Sequence, residues 1–247
     1  MNSKRKSSSD GIEKEVSIPA GRARLQGSLG MPEDAGALVL FAHGSGSSRR
    51  SPRNRYVAQA LHQAGVGTLL FDLLTAAEES SDEASGELRF DISFLATRLA
   101  DATRWLMQRP DMAERRLGYF GASTGAAAAL VAAAQFGEKV GAVVSRGGRP
   151  DLAGEALARV KAPTLLIAGG KDTPVIGMNR RALQELGSGV KRIYIVPGAT
   201  HLFEEPGTLE EVARLAADWF GTYLASSSKA ARNAEAHSRL RALRPKS

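Results

Sequence analysis

The sequence predicts an α/β domain built on a mostly parallel, doubly wound sheet. Three observations carry that expectation. Apolar runs of strand length, such as ALVLFAH (37–43), GTLLFDLL (67–74) and TLLIAG (164–169), alternate with helical stretches. Such continuous runs mark strands covered on both faces. The stretch from Arg116 to Ala134, RLGYFGASTGAAAALVAAA, reads as a strand, a Gly-Ala-Ser-Thr-Gly turn and an alanine-rich helix. Finally, 247 residues suffice for one full core and are an ordinary length for a single α/β domain.

In chain order, residues 1–12, rich in Ser and Lys, are expected to be a disordered tail. KEVSI (14–18) and ARLQGSL (23–29) alternate polar and apolar residues and predict an antiparallel hairpin around Pro19-Ala20-Gly21. Pro32-Glu33-Asp34-Ala35-Gly36 is a turn before the first buried strand. Pro52 opens a helix to about Ala64, which Gly65 stops, and a second buried strand starts at Gly67. TAAEESSDEASGELRF (75–90) reads as a long acidic loop placed to cover part of a pocket. A helix follows from Asp91 to about Arg109, ended by Pro110. Beyond the alanine-rich helix come a strand at 139–145, a short helix near 151–160 and a strand at 164–169. A helix from about Val175 to Leu186, a strand at 191–196 and a final helix capped by Thr208 complete the domain, 13–225. The segment 146–163 is too short for a large cap domain. Residues 226–247 form a basic, flexible tail in this reading.

Composition narrows the function. The net charge is +7, but residues 1–10 carry +2 and residues 226–247 carry +5, which leaves 11–225 neutral. The basic character therefore sits in the tails, and nucleic acid or an anionic membrane is not an expected partner of the domain itself. There is no Cys, so disulfides, thiolate metal sites and cysteine nucleophiles are excluded. MNSKRKSSSDG has charge with no apolar run behind it, unlike a signal peptide, and no stretch reaches about 18 apolar residues. A cytoplasmic location is expected.

The turn Gly121-Ala122-Ser123-Thr124-Gly125 matches G-x-S-x-G, in which a sharp strand-to-helix corner lifts a serine above the sheet. Strand and helix backbones crowd at such a corner, so both glycines are sterically required, and the serine is expected near positive φ. A serine hydroxyl needs a base, usually imidazole. Of four histidines, His62 lies on a helix, His237 in the basic tail, and His43 ends a buried strand ahead of the turn. His201 follows the last strand, and sites in open α/β sheets form beyond the carboxyl ends of strands. Asp172, just after the strand 164–169, is the expected orienting carboxylate, with Asp151 and Glu204 as weaker candidates. Backbone N–H groups of Thr124 and Ser45 are expected to hold an oxyanion. His43 shapes the His43-Gly44-Ser45-Gly46 turn.

Together these residues resemble the α/β-hydrolase superfamily across nearly all of 14–224. They are most similar to small, uncapped members of its dienelactone-hydrolase-like branch, whose signature segments HGSGSSRRSPRN, GASTG, SRGGRPDL, GGKDTPV and ATHLFEEPG resemble. Similar domains are sometimes attached to a phosphoribosyltransferase domain, to which no segment here corresponds. Dienelactone hydrolase itself uses a cysteine, and this chain departs from it with Ser123. The resemblance implies a serine hydrolase acting on a small-molecule ester or acyl substrate, with no metal or organic cofactor. It leaves esterase, lactonase and peptidase chemistry open. A silent hydrolase-fold binding protein with basic tails is the alternative from another class.

Gly44, Arg49 and Arg146 are the expected substrate contacts, since a guanidinium fork holds a carboxylate or phosphate well. The competing reading is that Arg49, Arg50, Arg53, Arg55, Arg146 and Arg149 anchor loops through carbonyls and the acidic 75–90 stretch. Oligomeric state is left open.

Overall fold

A computed structural model of the chain describes residues 13–225, apart from 113. The expectations for the tails 1–12 and 226–247 lie outside the described residues. Eight strands form one sheet: β1 (Glu13–Ala20), β2 (Ala23–Gly30), β3 (Ala37–Ala42), β4 (Gly67–Phe71), β5 (Arg116–Ala122), β6 (Val140–Arg146), β7 (Thr164–Gly169) and β8 (Lys191–Val196). Their order is β1-β2-β4-β3-β5-β6-β7-β8. The pairs β1/β2 and β2/β4 are antiparallel, and every pair from β4/β3 to β7/β8 is parallel.

Successive side chains of a strand point to opposite faces, so a strand buried on both sides must be apolar throughout. In β3, Leu38, Leu40 and Ala42 enter one core while Ala37, Val39 and Phe41 enter the other. The first core is closed by α4 (Ile92–Met107), α5 (Thr124–Phe136) and α6 (Thr173–Glu185), the second by α1 (Pro52–Gln63) and α7 (Thr208–Tyr223). Helix α5 lies nearest the sheet. Its small side chains allow close approach, and Ala126 to Leu130 are fully buried. Between β6 and β7 the chain runs only through a 3-10 segment, Pro150–Arg159, broken at Gly154 (φ 51), so there is no large cap. No helix among the described residues is long and apolar enough to cross a membrane.

Four local readings need correction. The stretch 75–90 is helical: α2 (Ala76–Ser85) and α3 (Glu87–Phe90) replace the expected loop. Thr75 and Glu78 form a reciprocal capping box, and Gly86 ends α2 in the left-handed conformation (φ 69). Asp82, only 2 % exposed, then accepts the N–H groups of Leu88 and Arg89 and the Arg89 Nε. Second, Gly207 (φ 81) is the cap of α7, while Thr208 is its first residue and bonds back to the Glu205 carbonyl. Third, Pro19 lies inside β1, paired with Arg24, and the hairpin turns at Gly21 (φ 60). Fourth, Arg146 is the last residue of β6 rather than the first after it.

Two glycines should respond oppositely to alanine. A Cβ at Gly125 would overlap the carbonyl oxygens of Ala42 and His43, which are fixed backbone. Gly221, inside α7, has open space. In urea denaturation, Gly125→Ala should lose about 3 kcal/mol or more, and Gly221→Ala should gain about 0.5–1 kcal/mol.

Candidate active site

Ser123 sits between β5 and α5 with φ 50 and ψ −122, a region that non-glycine residues rarely occupy. Three backbone hydrogen bonds hold it there. Its N–H donates to the Arg146 carbonyl (3.4 Å), and its own carbonyl accepts from Ala126 (3.1 Å) and Arg149 (3.0 Å). Gly121 faces the backbone of Gly125 and Ala126, and any Cβ there would overlap it. The strain is thus imposed by packing, and it leaves the serine half-buried at the head of α5.

The loop after β3 lies against this corner. A Cβ on Gly44 would come within 2.9 Å of Ser123 Cβ and 3.1 Å of the Ala122 carbonyl oxygen. His43 sets the turn. The Leu73 N–H donates to its Nε2 (3.0 Å), so the ring proton sits on Nδ1 and is donated to the Gly44 carbonyl (3.0 Å). Burial depresses its pKa, which keeps the imidazole neutral. The Ser45 N–H, expected to face an oxyanion, donates here to Thr124 Oγ1 (3.1 Å).

Asp172 caps α6 without bonding its backbone, which leaves the carboxylate free. Its Oδ2 lies 2.6 Å from His201 Nδ1, with the aspartate side chain 13 % exposed. The loops carrying the two residues are stitched together. Gly170 N–H donates to Val196 (2.8 Å) and Lys171 N–H to Ala199 (2.9 Å), and a Cβ at Gly169 would strike the carbonyl oxygens of Ala199 and Thr200. Both Glu205 oxygens accept the Thr200 N–H, an interaction that holds this carboxyl below its usual pKa. Phe203, buried and at φ 57, closes the loop.

Gly147 joins the two halves of the site. It follows Arg146, the backbone partner of Ser123, and a Cβ on it would lie 3.6 Å from His201 Cε1. The imidazole therefore stands over the loop that flanks the serine. No hydrogen bond connects Ser123 Oγ to His201 among the described residues, and such bonds commonly tighten only when substrate binds.

The other candidates are placed elsewhere. Asp151 is held by Arg149 (2.8 Å) and Glu204 by Arg53 (3.0 Å), so neither orients the imidazole. Arg49 is not available to a substrate. Its N–H and Nη1 bind Asp72 (2.7 and 2.6 Å) and its Nη2 binds Glu15 (3.1 Å), which ties the loop after β3 to the edge of the sheet. The anchoring reading holds for Arg49, though its acids lie outside 75–90. Arg146 is 8 % exposed and stacks over Phe203 (6.0 Å). Gly147, Phe203 and the Thr124 hydroxyl were not legible as parts of the site, because each acts through a contact between segments far apart in sequence. Among the described residues no group of three or more His, Cys, Asp or Glu could hold a metal ion.

The model of the dienelactone hydrolase family matches residues 26–239. The chain belongs to that family. A crystal structure of dienelactone hydrolase from Anabaena variabilis is 59 % identical, with a TM-score of 0.85, and covers 87 % of this chain and 100 % of its own. A Mycobacterium tuberculosis protein named a putative phosphoribosyl transferase is 58 % identical over 212 residues, 86 % of this chain but 47 % of that protein. The chain thus spans about half the length of this curated relative. Est1E from Butyrivibrio proteoclasticus, solved with ferulic acid bound, is 15 % identical with a TM-score of 0.72, covering 85 % of this chain and 100 % of its own. At that identity it shares the fold alone. Within the family, this chain has the α/β-hydrolase fold without a large cap and carries a serine at the strand-to-helix corner.

His43 offers a test of how the loop after β3 is held. His43→Ala would strand the buried Leu73 N–H, at about 1–3 kcal/mol, while the Gly44 carbonyl keeps the Ser47 N–H. The variant should unfold at lower urea concentration with an unchanged m-value.

Proposed function

We propose that this chain hydrolyses carboxylic esters through an acyl-enzyme formed on Ser123. The observation that carries the reading is the 2.6 Å pair of His201 Nδ1 and Asp172 Oδ2, held beside a serine in strained backbone geometry. Family membership and the Anabaena relative support it.

Asp172 fixes the tautomer in which Nδ1 carries the proton and Nε2 is free to act as base. His201 Nε2 takes the Ser123 proton as Oγ attacks the ester carbonyl, and the carbonyl π electrons move onto oxygen. The Thr124 N–H, at the positive end of α5, receives this oxyanion. The Ser45 N–H serves as the second donor by exchanging Thr124 Oγ1 for the substrate oxygen. Collapse of the tetrahedral intermediate breaks the bond to the leaving oxygen, which takes the proton from His201 and departs as an alcohol. Water then attacks the acyl-enzyme with its proton going to His201, and the returning proton restores Ser123 as the acid leaves. Lactones follow the same steps with the alcohol still tethered.

A cavity of about 240 Å3 adjoins the loop after β3, lined by residues 43–47, Leu73, Leu74 and Leu95 on one side and by Glu79, Asp82, Glu83 and Arg89 on the other. It is smaller than the roughly 300–1,000 Å3 of drug-sized pockets. It suits a short acyl or alcohol group, and the Est1E complex with ferulic acid is in keeping with a small-molecule ester.

Two measurements test this reading. A fluorophosphonate probe should label the wild type and not Ser123→Ala, and kcat should fall about 10⁶-fold in Ser123→Ala and about 10⁴-fold in Asp172→Asn. Absence of labelling under conditions that label a control esterase would sink it. Across p-nitrophenyl esters, acetate and butyrate should exceed decanoate in kcat/KM by about tenfold or more, since each methylene a pocket accommodates or excludes is worth about 1–3 kcal/mol.

A further inference from the structure

We propose that the Thr124 hydroxyl is a third oxyanion donor. It accepts the Ser45 N–H in the resting enzyme, and it gives its own hydrogen bond to the oxyanion once the substrate oxygen has taken that N–H. The proposal rests on the hydrolase reading and adds a residue to its machinery.

Thr124 is fixed at the reacting centre from two sides. It is bonded directly to Ser123 as the first residue of α5, and it is buried, 4 % exposed. Across the site its Oγ1 receives the Ser45 N–H at 3.1 Å. Gly44, next to Ser45, is so close that a Cβ on it would come within 2.9 Å of Ser123 Cβ. The hydroxyl is thus held between the nucleophile and the loop after β3. It belongs to the same residue as one backbone donor assigned to the oxyanion and is bonded to the other.

A hydroxyl donates one hydrogen bond and accepts up to two. Thr124 Oγ1 accepts one and, among the described residues, donates to no acceptor. The other buried threonines spend their hydroxyls within the fold. Thr103 donates to the Leu99 carbonyl (2.8 Å), Thr164 to Ala162 (2.8 Å) and Thr208 to Glu205 (2.7 Å), while Thr68 pairs with His62 Nε2 (2.7 Å). Thr103 shows the usual helical outlet, the carbonyl four residues back. For Thr124 that residue is Phe120, which lies in β5 ahead of the corner, so α5 offers this hydroxyl no such acceptor. The acceptor missing from the fold is one that the reaction itself produces.

The substrate oxygen that replaces Oγ1 on the Ser45 N–H settles at an ordinary hydrogen-bond distance, about 2.9 Å from that nitrogen. Two oxygens around one N–H are neighbours. The hydroxyl then needs only a turn about its Cβ–Oγ1 bond to aim its proton at the newcomer, and that proton stays on Oγ1 throughout. An ester carbonyl is a modest acceptor, whereas a hydrogen bond to an ionised oxygen is roughly twice as strong. The contact therefore strengthens as the tetrahedral intermediate forms, which places its effect in kcat rather than in KM.

The test uses the full chain and an alkyl trifluoromethyl ketone, whose carbonyl carbon is attacked by Ser123 Oγ to give a stable tetrahedral oxyanion. In a crystal of that adduct, Thr124 Oγ1 should lie about 2.5–3.0 Å from the hemiketal oxygen, and a separation beyond about 3.5 Å overturns the proposal. Thr124→Val keeps the shape and loses the hydroxyl. It should lower kcat for p-nitrophenyl acetate about 10²–10³-fold, leave KM within about threefold of the wild type, and raise the ketone Ki by a factor similar to the loss in kcat. Thr124→Ser, which restores the hydroxyl, should exceed Thr124→Val in kcat by about tenfold or more. A Thr124→Val kcat equal to or above the wild type, the result expected of a hydroxyl that only blocks the Ser45 N–H, overturns the proposal. So does a loss carried by KM alone, or a Thr124→Ser no better than Thr124→Val. If Thr124→Val fails to fold, the wild-type adduct decides. A ketone that never attaches to Ser123 sinks the hydrolase reading itself, whereas an adduct without the Thr124 contact sinks this proposal alone.

Discussion

No methyl group fits where β5 turns into α5, and the rest of the site follows from that crowding. Gly121 abuts the backbone of Gly125 and Ala126, Gly125 abuts the end of β3, and Gly44 abuts Ser123 itself. Three segments are thereby pressed together at distances only glycine tolerates. Ser123, between Gly121 and Gly125, takes positive φ at this corner. The alanines of α5 extend the same constraint down the helix, because a larger side chain on its buried face would lift it from the sheet and relax the corner. A backbone strain of order 1–3 kcal/mol is maintained in this way by the packing of the whole central layer.

Around that corner the polar groups divide into those the fold consumes and those it leaves available. Arg49 is spent on Asp72 and Glu15, Arg149 on Asp151, Arg89 on Asp82 and His43 on two backbone groups. Each of these fixes a loop. Among the described residues the Ser123 hydroxyl, the outer nitrogen of His201 and the buried Nε of Arg146 and of Arg53 have no hydrogen-bond partner. Structural charges hold the frame around the corner.

The difference between these two groups explains what could be read from the sequence. The order of strands and helices was legible because buried strands must be apolar throughout, and the edges 164–169 and 191–196 match to the residue. Ser123, Asp172 and His201 were legible because each follows a strand at the same rim of the sheet. The stretch 75–90 was misread because its acidity drew attention away from Thr75 and Glu78, which together spell a helix start. Asp82 could not be anticipated as its anchor, since the Arg89 contact exists only after Gly86 reverses the chain. Arg49 and Arg146 looked alike as arginines near a pocket. Only the acidic partners, Glu15 and Asp72 for one and none among the described residues for the other, separate them.

The same segment bears on how substrate reaches the site. Helix α2 buries a single residue, Asp82, and that residue is polar. It is held to the body through the Glu78–Arg98 pair and to α3 through Asp82, rather than through an apolar face, and Phe90 beyond it is 59 % exposed. A unit secured by a few polar contacts opens at lower free energy than one that shares the core. Asp82 and Arg89 also line the cavity next to Ser45, so this cover forms one of its walls. The opposite wall is the loop after β3, from His43 to Ser47. The cavity therefore combines a wall fixed by close packing, the loop after β3, with a wall held by a few polar contacts.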